Sequence, residues 1–303
     1  MLKLLRYVYF GRRGDVKMAI VIDGKKLAKQ INARTQQQVT ELVEQKIQPG
    51  IAVILVGEDP ASKMYTRSKQ RKAETLGMKS ILKEFPQDTS EQTVLNAIKE
   101  LNEDASIHAI LVQAPLPPQI DADMVTSAIV PSKDVDGFHP QNLGRLYANQ
   151  HGNYPVACTP KGIMTMLAAY QVPLTGQHAV IVGRSILVGK PMAALLMNAD
   201  ATVSVAGHHT KDLAALTQQA DILIVATGIG HLIKAEFVKP GAVVIDVGIE
   251  HDQDGKLIGD VDFDAVEKLA RAITPVPGGV GPMTIATLMQ QTVELAKWSQ
   301  LNG

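Results

Sequence analysis

Apolar residues along the chain fall into short unbroken runs that alternate with longer stretches of helical periodicity. In the first half, apolar runs lie at residues 51–56 and 108–113, and helical patterns lie near 24–47, 90–103 and 121–129. A further helix is expected after Asp59 and Pro60, which suit an N-cap and a first helical position, and it should end near Gly77. Short buried strands separated by helices indicate a parallel sheet with helices on its faces.

The alternation becomes more regular after about residue 158. Apolar runs predict successive buried strands at residues 178–182, 201–205, 222–226 and 242–246. Helices are expected between them near 188–198 and 211–219. This is the βαβ order of a nucleotide-binding domain.

We therefore predict an α/β protein with two domains and a cleft between them. An α/β substrate-binding catalytic domain is expected over residues 18–157, completed by a C-terminal helix over 284–303. A Rossmann-type domain with a doubly wound parallel sheet is expected over residues 158–283. The length of 303 residues agrees with this division, because a single hydrophobic core rarely extends over so long a chain.

Composition narrows the partners. The 30 Lys and Arg residues balance the 30 Asp and Glu residues, and aromatic residues make up 4% of the chain. A neutral balance disfavours general polyanion binding, and scarce aromatics disfavour base stacking, so we expect no nucleic-acid partner. No apolar run has the length needed to span a bilayer, so no membrane partner is expected. The single cysteine, Cys158, cannot form an intrachain disulfide and fits a reducing, cytoplasmic setting.

The first 17 residues differ from the rest of the chain. They carry five basic residues and one acid, but Arg6 interrupts their apolar part, no small-residue cleavage site follows, and serine is absent. These features disfavour a secretory signal and a transit peptide. We expect residues 1–17 to be a leader or extended start outside the fold, which should begin near Met18.

A glycine-rich turn, GRSILVGKP, follows the predicted strand at 178–182 and opens a helix, where backbone N–H groups can bind a phosphate. Ser185 stands where the dinucleotide fingerprint has its second glycine and Gly189 falls one position late, so a plain turn without a ligand stays open on spacing alone. Arg184 lies in the turn and no acid follows the next strand, which favours the 2′-phosphate of NADP over NAD. His208 is either a further part of that pocket or loop surface.

Three more stretches are candidates for ligand contact. YTRSK places Tyr65 and Lys69 on one face of a helix, although its basic neighbours equally suit a solvated surface. The two acids of KDVDGF, at 133–138, could accept two hydrogen bonds from an amidine-like edge or build an Asx-type turn. The loop TPVPGGVGPMT, at 274–284, exposes glycine backbone that a ligand can approach closely.

Together these motifs resemble those of one family, the bifunctional methylenetetrahydrofolate dehydrogenase/cyclohydrolases. The matching stretches occur in the family's order and cover nearly the whole chain from Met18: YTRSK, VQAPLP, KDVDGF, CTPKG, GRSILVGKP, DVGI and TPVPGGVGPMT. The resemblance implies NADP-dependent oxidation of 5,10-methylenetetrahydrofolate to the methenyl form. Hydrolysis to 10-formyltetrahydrofolate would follow at the same site, in a homodimer and without a metal.

The resemblance also implies roles for individual residues. Lys69 matches the catalytic lysine, Gln113 its partner, Tyr65 the substrate-stacking ring and Asp136 the pterin-binding acid. The cofactor contacts that it implies are Gly183, Arg184, Ser185 and Ile249. The folate-lining loop that it implies is Pro277, Gly278 and Gly279.

Two other functions stay open on the sequence. A two-domain dehydrogenase acting on a small hydroxy or amino acid would share the nucleotide domain, but gives no reason for PVPGGVGP or KDVDGF. A non-catalytic nucleotide-binding module would bind NADP without turnover.

Overall fold

A computed structural model of the chain describes residues 18–301, so the predicted leader at residues 1–17 lies outside the described part. The strands are β1 Ile20–Val21, β2 Gly50–Val56, β3 Lys79–Phe85, β4 Ala109–Val112, β5 His178–Val182, β6 Thr202–Ala206, β7 Ile222–Val225, β8 Val243–Asp246, β9 Glu250–His251, β10 Leu257–Ile258 and β11 Ala272–Ile273. The α-helices are α1 Gly24–Glu44, α2 Pro60–Thr75, α3 Glu91–Glu103, α4 Ala122–Ala128, α5 Pro140–Tyr147, α6 Cys158–Ala169, α7 Gly189–Asn198, α8 Leu213–Thr217, α9 Phe263–Val266 and α10 Val280–Ser299.

The first sheet is parallel and has the strand order β3-β2-β4. Its central strand β2 reads GIAVILV and is buried along its whole length. Successive side chains point to opposite faces, so Ile51 and Val53 pack with α1, α2 and α10, whereas Ala52 and Ile54 pack with α3 and α4. Helices cover both faces, which explains why β2 is apolar throughout rather than alternating.

The second sheet is also parallel and has the order β1-β11-β8-β7-β5-β6. The chain leaves β5 for β6 on one side and returns to β7 on the other. This reversal opens a crevice at the carboxyl end of β5, where doubly wound sheets bind their ligands.

Helix α10 belongs to both cores. Val280, Met283 and Ala286 pack with β5 and α6 under the second sheet, whereas Leu288, Met289 and Val293 pack with β2 of the first sheet. A helix that contributes to both cores fixes the two sheets relative to each other.

The predicted fold class, an α/β protein with a parallel nucleotide-binding sheet and a second α/β unit, is confirmed. Two details differ from the sequence prediction. Residues 20–21 pair with β11 in the second sheet, although the prediction grouped everything from 18 to 157 with the first. The last helix begins at Val280 rather than at Thr284. Within residues 18–301, no helix is both long and apolar enough to cross a membrane.

Candidate active site

A cleft of about 570 Å³ separates the carboxyl ends of the two sheets. The first sheet and its loops contribute Tyr65, Lys69, Gln113, Asp136, Phe138 and Cys158. The second sheet and α10 contribute Ile186, Leu187, Val247, Ile249, Val280, Gly281 and Thr284. Five residues singled out from the sequence therefore meet here: Tyr65, Lys69, Gln113, Asp136 and Ile249.

Lys69 projects from α2, which starts where the sequence predicts. The side chain of Asp59 caps the helix by accepting a hydrogen bond from the backbone N–H of Ser62 at 2.8 Å, and Pro60 occupies the first turn. Tyr65 lies one turn before Lys69, so both side chains reach the cleft. The predicted helix and the shared face are therefore both present.

Gln113 follows directly on β4 and meets Lys69 across the cleft floor. The Lys69 ammonium donates to Gln113 Oε1 at 2.9 Å. Gln113 Nε2 donates in turn to the carbonyl of Ala114 at 2.7 Å, which keeps Oε1 turned toward the lysine. An amide orients the amine without adding a charge to the cleft.

The charges in this region are largely desolvated. Burial lowers the pKa of Lys69, and the nearby Asp136 and Cys158 partly oppose that shift. Burial raises the pKa of Asp136 to about 6, against the opposing effect of Lys69. Burial, with Asp136 adding to it, raises the pKa of Cys158 well above its usual range, and its thiol donates to the Val135 carbonyl at 3.3 Å. The cleft thus holds an amine whose pKa lies below that of a solvated lysine, beside an aspartate and a neutral thiol.

The two acids of KDVDGF divide the two roles that the sequence left open. Asp134 is buried and accepts hydrogen bonds from the His139 backbone N–H at 2.8 Å and from Asn142 Nδ2 at 2.9 Å. It therefore builds the turn. Asp136 lies beyond it on the cleft wall, where it can meet a ligand.

Gln291, on α10, joins two segments of the first domain, and no motif of the sequence marks it as a site residue. This fully buried amide donates from Nε2 to the carbonyls of Val135, at 2.5 Å, and Val156, at 2.9 Å. Lys161 donates to Gln291 Oε1 at 2.9 Å and pairs with Glu294 at 2.6 Å. The backbone that precedes Asp136 is thereby tied to the helix that joins the two cores.

The glycine-rich turn after β5 forms a backbone cradle. Gly183 has φ +124°, and a Cβ built on it would lie 2.1 Å from the Ala226 carbonyl oxygen. A Cβ on Gly189, at the start of α7, would lie 2.1 Å from the Gly183 carbonyl oxygen. Both positions therefore require glycine, and the turn packs tightly against the first residues of α7. This is the geometry in which backbone N–H groups approach a pyrophosphate.

Arg184 and the loop after β6 lie together at the edge of the cradle. Arg184 is exposed, and a Cβ on Gly207 would lie 3.0 Å from its Cδ and Nε atoms, so its side chain runs over that loop. His208 is exposed in the same loop, and its ring stands edge-on to that of His209 with centroids 5.1 Å apart. Ser185 Oγ accepts a hydrogen bond from the Val188 backbone N–H at 3.2 Å, which stabilises the turn.

Two buried carboxyls support the loops that line the second half of the cleft. Asp246 accepts hydrogen bonds from the backbone N–H groups of Gly248, Asp260 and Val261 at 2.9–3.0 Å. Asp260 accepts from the N–H groups of Thr227 and Gly228 at 2.5 and 3.1 Å. Burial raises the pKa of Asp246 to about 6. These hydrogen bonds hold the loop that carries Ile249 in place.

The glycine loop at 277–279 lies next to the cleft rather than in its wall. The Gly278 carbonyl accepts a hydrogen bond from the Lys25 N–H at 2.9 Å, and a Cβ on Gly24 would lie 1.8 Å from the Gly279 carbonyl oxygen. The cleft wall begins one residue later, at Val280. Close packing against the start of α1 accounts for part of the glycine content, and a role for Pro277, Gly278 and Gly279 toward a folate stays a prediction.

Metal ligands do not converge in this region. Over residues 18–301, no group of three or more His, Cys, Asp or Glu side chains could hold a metal ion. The titratable side chains that line the cleft include the amine of Lys69 and the carboxyl of Asp136.

A doubly wound sheet with a glycine cradle, facing a second α/β unit that supplies a buried lysine, defines a two-domain nucleotide-dependent enzyme. Residues 22–136 match the family model described as "Tetrahydrofolate dehydrogenase/cyclohydrolase, catalytic domain". Residues 157–300 match "Tetrahydrofolate dehydrogenase/cyclohydrolase, NAD(P)-binding domain". The chain belongs to the tetrahydrofolate dehydrogenase/cyclohydrolase family.

Individual relatives agree with this assignment. The bifunctional protein FolD of Limosilactobacillus reuteri is 64% identical over 93% of this chain and 99% of its own length. The crystal structure of the bifunctional FolD of Campylobacter jejuni is 46% identical, with a TM-score of 0.91 over 93% of this chain and 99% of that one. The FolD structure from Trypanosoma brucei, solved with NADP and an inhibitor, is 37% identical, with a TM-score of 0.90 over 94% and 99%. The family inferred from the sequence motifs is confirmed.

Proposed function

We propose that this protein oxidises 5,10-methylenetetrahydrofolate to the methenyl form with NADP and then hydrolyses the product to 10-formyltetrahydrofolate. The observation that carries this proposal is the Lys69–Gln113 pair beside Asp136, placed in a cleft whose opposite wall belongs to the nucleotide-binding sheet. A redox reaction and a hydrolysis can share such a cleft, because both act on the same bridging carbon.

Asp136 and Tyr65 position the folate. The Asp136 carboxylate accepts two hydrogen bonds from the amidine-like N–C–NH₂ edge of the pterin. The ring of Tyr65 packs on the flat part of the substrate from α2. Lys69 acts on the bridging carbon. All three side chains line the same cleft, and Lys69 lies close enough to Asp136 for their charges to interact, which supports this placement.

Lys69 serves as the acid–base in the hydrolysis. In its neutral form it accepts one proton from water as the oxygen bonds to the bridging carbon. It then donates that proton to the ring nitrogen as one carbon–nitrogen bond breaks, while the remaining hydroxyl proton is lost to solvent and the formyl C=O forms. A lysine of ordinary pKa stays protonated near neutral pH, so the shift caused by burial is what makes the first step accessible. Gln113 orients the amine in both steps.

The turn at Gly183–Ser185 fits NADP. A Cβ would fill the cradle at Gly183 and Gly189, and Arg184 supplies a cation for a 2′-phosphate, with His208 beside it. A bound NADP would supply the hydride acceptor for the bridging carbon. Ile249 and Leu187 give this part of the cleft an exposed apolar surface, against which a nicotinamide ring could pack.

One assay tests the proposal. Purified protein mixed with NADP and 5,10-methylenetetrahydrofolate should produce NADPH absorbance together with a transient methenyl band. Added methenyltetrahydrofolate should be hydrolysed without NADP. A protein that binds NADP but gives neither signal would be a non-catalytic module. Turnover with a hydroxy or amino acid in place of folate would indicate the other dehydrogenase class.

We further propose that the chain divides near residues 157 and 280 into a folate-binding and an NADP-binding domain, with α10 completing the first. We also propose a cytoplasmic homodimer. The packing of α10 against β2 supports the domain division, and the burial of Cys158 as a free thiol supports the reducing cytoplasmic setting. The homodimer rests on the family resemblance alone. Sedimentation equilibrium of the purified chain would test the dimer, for which a single species of monomer mass is the contrary result.

A further inference from the structure

A second cavity, of about 730 Å³, lies at the other end of β4 from the cleft. Gln113, in the cleft, follows the last residue of β4, whereas Ile107 and His108, in the second cavity, precede its first. Its volume falls within the range of roughly 300–1,000 Å³ in which small-molecule sites occur. None of the catalytic or cofactor residues proposed above lines it, so a ligand here would be separate from the folate and NADP sites.

The charged side chains that line the second cavity are both basic. Its lining includes Lys133 and Arg145, and no Asp or Glu of residues 18–301 lines it. Lys133 is already committed, because its three protons go to the carbonyls of Leu101, Asn102 and Asp104 at 2.8–3.1 Å, and the Asp104 carboxylate lies nearby. The positive charge available to a ligand is therefore that of Arg145.

Arg145 is held in place without a counter-ion. Its guanidinium carbon lies 4.6 Å from the centroid of the Tyr154 ring, and Nη1 donates to the Asn153 carbonyl at 3.1 Å. Among residues 18–301, no carboxylate lies within 4.0 Å of it. A fixed guanidinium with unused N–H groups is ready to bind a carboxylate, because little side-chain entropy remains to be lost.

His108 adds a second donor to the second cavity. The side chain is 8% exposed, and its Nδ1 accepts a hydrogen bond from the Gly50 N–H at 3.1 Å. Burial, with Lys133 adding to it, lowers the pKa of His108, so the ring is neutral and carries its proton on Nε2. Within residues 18–301, no acceptor is hydrogen-bonded to that Nε2–H. Apolar walls complete the site, formed by Ile107, Leu295 and Trp298.

We propose that the second cavity binds a small organic monoanion, a carboxylate with a flat apolar body, through Arg145 and His108. The carboxylate would lie on the guanidinium and the apolar body against Trp298 and Leu295. This site stands independently of the folate and NADP chemistry.

Trp298 makes the proposal directly measurable, because it is the chain's only tryptophan. The full-length protein would be titrated with phenylacetate and, separately, with the uncharged isostere phenylacetamide, while Trp298 emission is recorded. We expect a saturable change with phenylacetate and at least tenfold weaker binding of the amide. A linear response, or equal responses to acid and amide, would overturn the proposal.

Variants test whether the change in Trp298 emission arises from binding in the second cavity. Arg145→Gln should weaken phenylacetate binding at least tenfold, to the level of the amide, while NADPH formation in the folate assay shows that this variant is folded. Lys297→Gln removes a positive charge beside the reporter but outside the cavity lining, and Lys69→Met removes the cation of the cleft. Both should bind phenylacetate as the wild type does. Unchanged binding by Arg145→Gln, or loss of binding in Lys69→Met, would place the ligand elsewhere and contradict the proposal.

Discussion

The two walls of the cleft handle charge in opposite ways. On the first, Lys69 and Asp136 are largely desolvated, and burial moves the pKa of each toward neutrality. The second wall includes Ile186 and Leu187 of the glycine-rich turn, whose earlier residues supply the backbone cradle at Gly183 and the exposed cation of Arg184 without lining the cleft themselves. Proton transfer needs groups whose charge state can change, whereas phosphate binding needs donors whose charge state stays the same. The first wall therefore carries side chains with shifted pKa values, and the turn beside the second wall carries a fixed backbone.

The largest loss of activity is expected on substitution of Lys69. Lys69→Met should reduce hydrolysis of methenyltetrahydrofolate by about 10²–10⁴-fold, because the general acid–base is lost. Folate binding should survive, since Asp136 and Tyr65 are intact. Stopped-flow decay of the methenyl band would measure hydrolysis, and quenching of protein fluorescence would measure folate binding. Lys72→Met, which changes a lysine on the same helix outside the cleft, is the matched control. Hydrolysis at the wild-type rate in Lys69→Met would contradict the assignment.

In the glycine-rich turn, Gly183→Ala should weaken NADP binding and leave NADP-independent hydrolysis nearly unchanged. Strain of about 1–3 kcal/mol at positive φ, together with the clash against the Ala226 carbonyl, should weaken NADP binding by tenfold or more. NADP-independent hydrolysis should stay within about twofold of wild type. Calorimetric titration with NADP measures the first quantity. Gly176 has a φ of +74° and open space where a Cβ would lie. The control Gly176→Ala therefore introduces backbone strain without a steric clash. Equal loss of both activities in Gly183→Ala would mean that the walls are not independent.

Substitution of Arg184 tests the preference for NADP over NAD. Arg184→Gln should raise the KM for NADP by about tenfold, since a hydrogen bond to a charged group contributes roughly 1.5–3 kcal/mol. The KM for NAD should change little, because NAD has no 2′-phosphate. The ratio of the two KM values is the measurement. Arg271→Gln removes the same charge just before β11, three strands away from β5 in the sheet, and should leave the ratio unchanged. An equal rise for both cofactors would remove Arg184 from the 2′-phosphate site.

Asp136 gives the smallest effect, and it depends on pH. Its pKa is raised to about 6, so the carboxyl is charged above that pH and neutral below it. Only the charged form accepts two hydrogen bonds from the pterin. The kcat/KM for folate should therefore fall about tenfold per pH unit below pH 6. Asp136→Asn should be weak at every pH and lack this fall. Asp123→Asn, at an exposed carboxyl on the same cleft, should keep it.

The sequence predicted the fully buried strands and missed a strand that is mostly half-buried. The apolar runs at β2, β5, β7 and β8 are buried on both faces, so composition alone reveals them. Strand β3, KSILKEF, lies at the edge of its sheet and is mostly half-buried, so no apolar run marks it. Residues 20–21 fall in the first predicted domain but pair with β11 of the second sheet, because strand pairing is decided by tertiary contacts that local pattern does not contain.

The site shows the same limit. Helical periodicity placed Tyr65 and Lys69 on one face, yet Gln113 lies 44 positions further along the chain, and only the resemblance linked it to Lys69. Gln291 was missed altogether. It reaches Val135 across 156 positions, from a helix whose sequence marks it as ordinary core. A buried amide leaves no periodic signal, because its hydrogen bonds go to backbone carbonyls of distant segments.

The pKa of Lys69 is the most direct test of the account. Lysines labelled with ¹³C at Cε can be followed by NMR during a pH titration, and the resonance absent from Lys69→Met identifies Lys69. We expect this resonance to titrate at lower pH than those of the exposed lysines, because burial disfavours the charged amine. A Lys69 resonance that titrates together with the exposed lysines would contradict its role as the acid–base.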